Sequence, residues 1–429
     1  MDKETIVEIL SSWNFWKAGQ ETGIFRGDYI ENMNRLLQTS QILAMTGVRR
    51  SGKSTLMKQF IKQGIEAGRP PASFLYVNFE EPKFAGLLSP EFIQQIYDAY
   101  LEIVKPEGMP YILLDEAQKV PGWERFVRGL HEKKEAHIIV SGSTSALLSH
   151  EFGALLTGRW IELKVYPLTF HEFLCFKGLN LEKKLDILSK KVEIKQLLRE
   201  YLEFGGFPLV TLKEEKAEIL ARYFDDILTR DVAERHKIRK PEKLKALGNY
   251  YITNSASLVS YRRTAKFIGL SLDTVERFSR YMEESCLLYF IPKFSASLKE
   301  QEVNPKKIYC IDGGLISAVS FRFSDYIGKL YENIVFFSLL QSGKDIYYYK
   351  NKGECDFVIK EGKVINLLQV SYQLADNKKR EINGLVEAME ALKIKEGLIL
   401  TEDESGEELI KGKKIIYYPL WKWLLEKEL

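Results

Sequence analysis

Nine residues, Gly47-Val48-Arg49-Arg50-Ser51-Gly52-Lys53-Ser54-Thr55, constrain this chain more than any other segment. They match the pattern GxxxxGKS/T at every fixed position. The apolar run Gln41–Thr46 precedes them, and Leu56–Ala67, with helical spacing, follows. The glycines let the backbone curl so that its N–H groups point inward. There they can hold phosphate oxygens at a helix N-terminus. All nine residues are therefore assigned to a phosphate cradle. Lys53 is expected to neutralise the β- and γ-phosphates of a nucleoside triphosphate, and Ser54 to ligate Mg2+. Arg49 and Arg50 either reinforce phosphate binding or face solvent. A chance Gly-rich turn would have to explain the strand-loop-helix context as well.

A second acidic element follows about 60 residues later in Tyr111-Ile112-Leu113-Leu114-Asp115-Glu116. A buried strand there would deliver Asp115 to the Mg2+ shell, and Glu116 would orient or activate the attacking water. The plainer reading is a solvated acidic strand end. A third apolar run, His137–Val140, leads into Ser141-Gly142-Ser143-Thr144-Ser145. Ser143 is the candidate for a contact to the γ-phosphate or the water, although hydroxyls also cap helices. Arg159, in Leu156-Thr157-Gly158-Arg159, is the candidate cation for the transition state, within its own chain or for a neighbour. A structural ion pair accounts for it equally well.

Strand-like runs at Ser73–Phe79, Tyr111–Leu114 and His137–Val140 alternate with helical patterns at Glu91–Val104 and Trp123–Lys133. That alternation means a parallel α/β sheet. From Pro167 to Ala246 the pattern turns helical, broken at Gly205-Gly206-Phe207-Pro208. Strand candidates return at Lys307–Ile311, Asp345–Tyr349, Cys355–Lys360 and Val364–Tyr372. At about 150 residues per domain, 429 residues make two or three domains.

The net charge of +3, from 62 Lys and Arg against 59 Asp and Glu, neither demands nor excludes nucleic acid. The four cysteines are scattered, without a CxxC pair, and Cys310 sits in the apolar run Ile308–Ile311, so they read as buried small side chains. The charged Met1–Thr5 is no secretory signal, and no run approaches the ~18 apolar residues of a membrane span. A cytoplasmic protein without membrane partners is expected.

The pieces Gly47–Thr55, Leu113–Glu116, Ser141–Ser145, Gly158-Arg159, Pro167–Phe173, Gly205–Pro208, Arg230-Asp231 and Lys307–Leu315 occur in an informative order. Together the chain resembles a family of archaeal and bacterial AAA+/STAND-like ATPases. In that family a winged-helix unit and a domain with the restriction-endonuclease fold follow the ATPase. The resemblance implies an α/β P-loop NTPase with an AAA+-like parallel sheet, a helical and winged-helix middle, and a C-terminal α/β nuclease-like domain. The expected divisions are a helical segment at 1–35, the ATPase domain at 36–166, a helical lid at 167–246, the winged-helix unit at 247–300 and the nuclease-like domain at 301–429. ATP, with Mg2+, is the nucleotide that the resemblance favours; the residues themselves show no guanine-reading motif.

Two appended modules carry further candidates. Tyr261–Gly269 reads as a helix stopped by Gly269, and Ser271 caps a second helix through Glu284, with Asp273 in its first turn. This is helix-turn-helix spacing, in which Thr274, Arg277 and Arg280 would face DNA. Asp273, Glu276, Glu283 and Glu284 on the same helix would repel phosphates, so domain packing is the competing role. In the C-terminal part, Glu332, Asp356 and Gln369 occupy the metal-ligand places of a PD-(D/E)xK nuclease, which that domain resembles. Ser371 stands where that motif has its lysine, and Lys350 or Lys352 is the substitute in reach along the sequence. Two functions follow. One is an ATP-driven protein that binds or remodels DNA. The other is a nucleotide-controlled switch, an oligomer or scaffold for a protein partner, with a C-terminal module that has lost its chemistry.

Overall fold

The computed structural model describes residues 1–142, 156–181, 183–320 and 326–426. They fall into two units, Met1–Tyr166 and Pro167–Leu429.

The first unit is built on five parallel strands: β1 (Ile42–Thr46), β2 (Phe74–Asn78), β3 (Tyr111–Asp115), β4 (His137–Ser141) and β5 (Trp160–Lys164). Their order is β2-β3-β4-β1-β5. Side chains alternate across a strand, and β1 shows the consequence. Ile42 and Ala44 enter one apolar cluster with Ile96, Trp123 and Val127. Leu43 and Met45 enter the other with Met33, Leu56 and Phe60. Both faces are thus covered by helices, as a parallel sheet requires. Residues 1–35 are integral to this packing and do not form a segment apart. Ile6, Ile9 and Leu10 join the first cluster, and Ile30 and Met33 the second.

The aromatic run Trp13–Trp16 closes the sheet edge at β2. The Asn14 side-chain amide donates to the Tyr76 carbonyl at 2.8 Å and its oxygen accepts from the Tyr76 N–H at 2.7 Å. The Trp16 indole donates to the Phe74 carbonyl at 2.8 Å. These bonds satisfy backbone groups that an open edge would leave for another chain. At the other edge, β5 was not expected. Its alternation of Ile161 and Leu163 with Glu162 and Lys164 fits a strand whose second face meets water.

In the second unit, the helix Phe170–Phe176 begins in a capping box between Thr169 and Glu172. The helices Lys191–Phe204, Lys216–Asp226 and Pro241–Thr253 follow. Gly205-Gly206 lies against the buried carboxylate of Asp312. The Gly206 N–H donates to Asp312 Oδ2 at 2.7 Å, and the Gly314 N–H donates to Oδ1 at 2.9 Å. Gly205 has φ +70°, and a Cβ there would lie 1.8 Å from Asp312 Oδ1. Only glycine fits.

The helix Tyr261–Ile268 ends on Gly269 at φ +72°, and Ser271 caps Leu272–Glu284 by accepting from the Thr274 N–H at 3.3 Å. The strands β6 (Ser257–Val259), β7 (Leu288–Ile291) and β8 (Lys306–Cys310) form an antiparallel sheet, with β8 in the middle. The expected boundary at residue 300 is therefore corrected. Lys306–Cys310 pairs with the strands that flank the helix pair, because its partners Ser257–Val259 and Leu288–Ile291 lie there.

The C-terminal sheet is mixed. Its strands are β9 (Asp345–Lys350), β10 (Glu354–Glu361), β11 (Val364–Val370), β12 (Glu396–Thr401), β13 (Gly406–Ile410) and β14 (Lys413–Pro419). The order is β13-β14-β12-β11-β10-β9, with β11, β12 and β14 parallel. The helix Leu374–Ala391 supplies Ile382, Leu385, Val386 and Met389 to the core against it. All four cysteines are free, and no described helix is long and apolar enough to cross a membrane.

Gly205→Ala is expected to cost about 2 kcal/mol or more, since both the left-handed φ and the Asp312 overlap oppose a side chain. Gly328→Ala is the matched control: its Cβ meets nothing within 4 Å, and helical alanine should add up to about 1 kcal/mol. Urea unfolding of both variants checks this. Equal midpoints would contradict the role given to Gly205.

Candidate active site

The loop after β1 owes its shape to two glycines and one buried arginine. Gly47 has φ +137°, and a Cβ there would sit 2.1 Å from the Val165 carbonyl oxygen. Gly52 has φ +102° and begins the helix Lys53–Glu66. Arg26 is buried and donates to the Ser51 carbonyl at 3.1 Å and to the Tyr166 carbonyl at 3.2 Å. It therefore ties the loop to the chain leaving β5. Val48 and Ser51 are buried, Ser54 and Thr55 are exposed, and Arg49 lies 3.9 Å from Glu80. Arg50 takes φ +70°, a left-handed conformation rare for residues with a side chain.

Lys53 is 6% exposed, and its ammonium donates to the carbonyls of Gly47 at 3.0 Å and Val48 at 3.1 Å. The cation thus lies inside the curl of the loop. Phosphate oxygens placed there can take over these two hydrogen bonds with a full negative charge.

Asp115 ends β3 and is buried beside this loop. Tyr76, across on β2, donates its hydroxyl to Oδ2 at 2.7 Å. Ser141, at the end of β4, donates to Oδ1, and the Ser54 hydroxyl lies close enough to favour the charged carboxylate. Burial pushes the Asp115 carboxyl above its usual range, and the three hydroxyls partly offset it. The Ser141 oxygen further accepts from the Glu116 N–H at 3.2 Å. Glu116 sits at φ +56°, ψ +43°, and its carboxylate accepts from the Gln118 amide at 2.5 Å. A left-handed glutamate directly after a buried aspartate is the kind of backbone strain that clusters at functional sites. Ser54 and Asp115 offer adjacent hard oxygen donors, a set that fits Mg2+, which keeps most of its own waters and takes few protein ligands.

Three groups here were not anticipated: Arg26, Tyr76 and Ser141. Ser141 was within reach, because the strand His137–Ser141 runs one residue further than expected. Tyr76 gave no signal beyond its place in an apolar run. Ser143 lies outside the described residues. Arg159 is corrected as a catalytic group within its own chain. It precedes β5, where its carbonyl accepts from the Ile42 N–H at 2.9 Å, so it marks the end of the sheet where β1 begins. The phosphate loop follows the other end of β1, about 15 Å along the strand. Its guanidinium pairs with Glu132 at 3.2 Å. Only the triphosphate of another copy remains open to it.

The expected metal set was Glu332, Asp356 and Gln369. The structure brings these residues together, but around an ammonium. Lys307 on β8 is buried and lies 2.8 Å from Glu332, 3.0 Å from Glu354 and 2.8 Å from Asp356. Burial opposes its charge, but Asp356 and Glu332 outweigh that and hold Lys307 well above the ordinary range. Gln369 is committed elsewhere: its oxygen accepts from the Asp356 N–H at 3.0 Å, and its amide donates to Glu381 at 2.5 Å. No group of three or more His, Cys, Asp or Glu suited to a metal occurs among the described residues. Lys350 pairs with Glu354 at 3.0 Å, so the interior cation comes from a strand that no local motif indicated.

Residues 39–174 match a family described as an AAA domain. Residues 195–326 and 327–422 match two families described as domains of unknown function. Over 406 residues the chain is 33% identical to the uncharacterized protein MJ1544 of Methanocaldococcus jannaschii, covering 90% of this chain and 88% of that protein. It is 29% identical over 412 residues to an uncharacterized protein of Haemophilus influenzae, covering 94% and 99%. Among solved structures it is similar to the Walker-type ATPase PABY2304 of Pyrococcus abyssi. That likeness has 14% identity and a TM-score of 0.42, over 70% of this chain and 97% of that one. The chain belongs to one family with MJ1544, and it carries an ATP-binding domain of the AAA type on a parallel α/β sheet.

Proposed function

We propose that Gly47–Thr55 binds the phosphates of Mg-ATP and that Glu116 directs water onto the γ-phosphate. The observation that carries this reading is the buried Asp115 carboxylate, which accepts from the hydroxyls of Tyr76 and Ser141 and lies close to Ser54 of the phosphate loop. Mg2+, when bound, supplies charge neutralisation between the β- and γ-phosphates. Ser54 and Asp115 are the residues that would hold it. Lys53 exchanges the Gly47 and Val48 carbonyls for phosphate oxygens, and the loop N–H groups orient the chain of phosphates. Glu116 takes up the proton of the attacking water, from a backbone position fixed by the Ser141 hydroxyl. Ser141 is the β4 hydroxyl that links the acidic pair to nucleotide state.

In this reading, hydrolysis serves action on nucleic acid through the helix pair Tyr261–Ile268 and Leu272–Glu284, a winged-helix-like unit with β6, β7 and β8. The C-terminal sheet, with its nuclease-like arrangement of Glu332 and Asp356, acts without cleaving. Lys307 occupies the place of a metal there and joins β8 to β10.

Lys53→Ala should abolish ATP binding in calorimetric titration. Glu116→Gln should keep binding while turnover falls by about 10²–10⁴-fold. Normal turnover in both variants would refute the site. Lys307→Met leaves Glu332 and Asp356 without their cation and should cost about 3–5 kcal/mol in denaturant unfolding. The wild-type chain should leave supercoiled DNA intact with Mg2+. Cleavage abolished by Asp356→Asn would contradict a non-cleaving domain.

A further inference from the structure

Beside the second helix of the pair lies a cavity of about 540 Å³. One wall is His236-Lys237-Ile238-Arg239-Lys240, and the other is Gly269–Ser271 with Thr274, Arg277, Phe278 and Tyr281. Lys237, Arg239, Lys240 and Arg277 line it, and no carboxylate does. None of these four cations takes part in an ion pair among the described residues. Elsewhere in this unit Lys245 pairs with Asp225 at 2.7 Å, and Lys378 pairs with Glu408 at 3.2 Å.

The acidic residues of this helix divide between its faces. On a helix, Thr274, Arg277, Phe278 and Tyr281 share one stripe, three and four residues apart. Asp273 lies one turn before Arg277, beside that stripe, while Glu276 and Glu283 fall farther round the helix. Glu284 lies 3.7 Å from Arg280 and 3.7 Å from His236, the latter on the cavity wall. His236 stacks on Tyr281 with centroids 3.5 Å apart, which fixes the cavity floor. Burial, with the charges of Arg235 and Arg280, pushes the His236 imidazole down to about 4, as expected in a positive field.

We propose that this cavity binds the sugar–phosphate backbone of a DNA duplex. The proposal rests on the nucleic-acid reading above and names where the backbone docks. Four uncompensated cations around one concavity repel one another, and a run of phosphates relieves that repulsion by releasing its own counterions. The hydroxyls of Ser271 and Thr274, 2.8 Å apart at the cavity wall, are of the type that contact phosphate oxygens. Arg277, on the helix face, and Arg239, on the loop, then hold the duplex from two sides. A single mononucleotide would engage fewer of the four. An acidic peptide lacks the even spacing of charge.

The test uses fluorescence anisotropy of a labelled 20-base-pair duplex with the full chain, titrated at several KCl concentrations. The probe length is about two turns of B-DNA, so contacts on either side of the cavity are included. Replacing both arginines, Arg239→Ala with Arg277→Ala, should reduce the slope of log affinity against log salt by about 2. Arg222→Ala, an exposed arginine on another helix of the same unit, should leave the slope unchanged. Thermal unfolding of each variant at the wild-type temperature establishes that the fold is kept. Duplex binding with a slope that the double variant does not alter overturns this cavity but leaves the nucleic-acid reading standing. A wild-type chain that ignores the duplex at low salt overturns both, while ATP turnover is judged separately. Polyglutamate bound as tightly, through the same two arginines, overturns the assignment to DNA.

Discussion

Much of the first unit follows from one buried charge. Asp115 ends a buried strand, and a carboxylate there is tolerable only with hydrogen-bond donors around it. Tyr76 from β2 and Ser141 from β4 provide them, with Ser54 of the phosphate loop close by. Those three come from separate strands and a helix N-terminus, so the carboxylate can be satisfied only if the sheet order and register are those observed. The same convergence places two hard oxygen donors and an ammonium within one small volume. Stability and chemistry draw here on the same contacts.

The second unit answers a similar problem in the opposite sense. Its interior carboxylates, Glu332, Glu354 and Asp356, are satisfied by a lysine from β8. That contact joins two sheets that differ in sequence position and topology. The second buried aspartate, Asp312, shows the same economy, since its oxygens accept from the N–H groups of Gly206 and Gly314 and so join a helix to a loop far off in sequence.

What the sequence disclosed and what it hid divide along sequence separation. The phosphate loop, the strand carrying Asp115 and the helix pair with its Gly269 stop are local patterns, and each lies within a residue or two of its expected place. Lys307 is the opposite case. It was read as one more strand residue of the C-terminal domain, because its partners lie 25 to 49 residues away and carry no motif with it. Arg159 misled for the same reason. A Gly-Arg pair after β4 looked catalytic until β5, a strand with an exposed face, fixed it at the far end of the sheet. The basic wall Lys237–Lys240 was invisible because bulk charge is near zero and only folding sets it against Arg277.

The central claim is that Asp115 and Ser54 hold the divalent ion of a bound nucleotide. Electron paramagnetic resonance of Mn2+, titrated with a non-hydrolysable ATP analogue, reads that directly in the wild type and in Asp115→Asn. The account predicts nucleotide-dependent Mn2+ binding in the wild type, weakened by about tenfold or more in the variant while the analogue still binds. Equal Mn2+ affinity in the two proteins would contradict it.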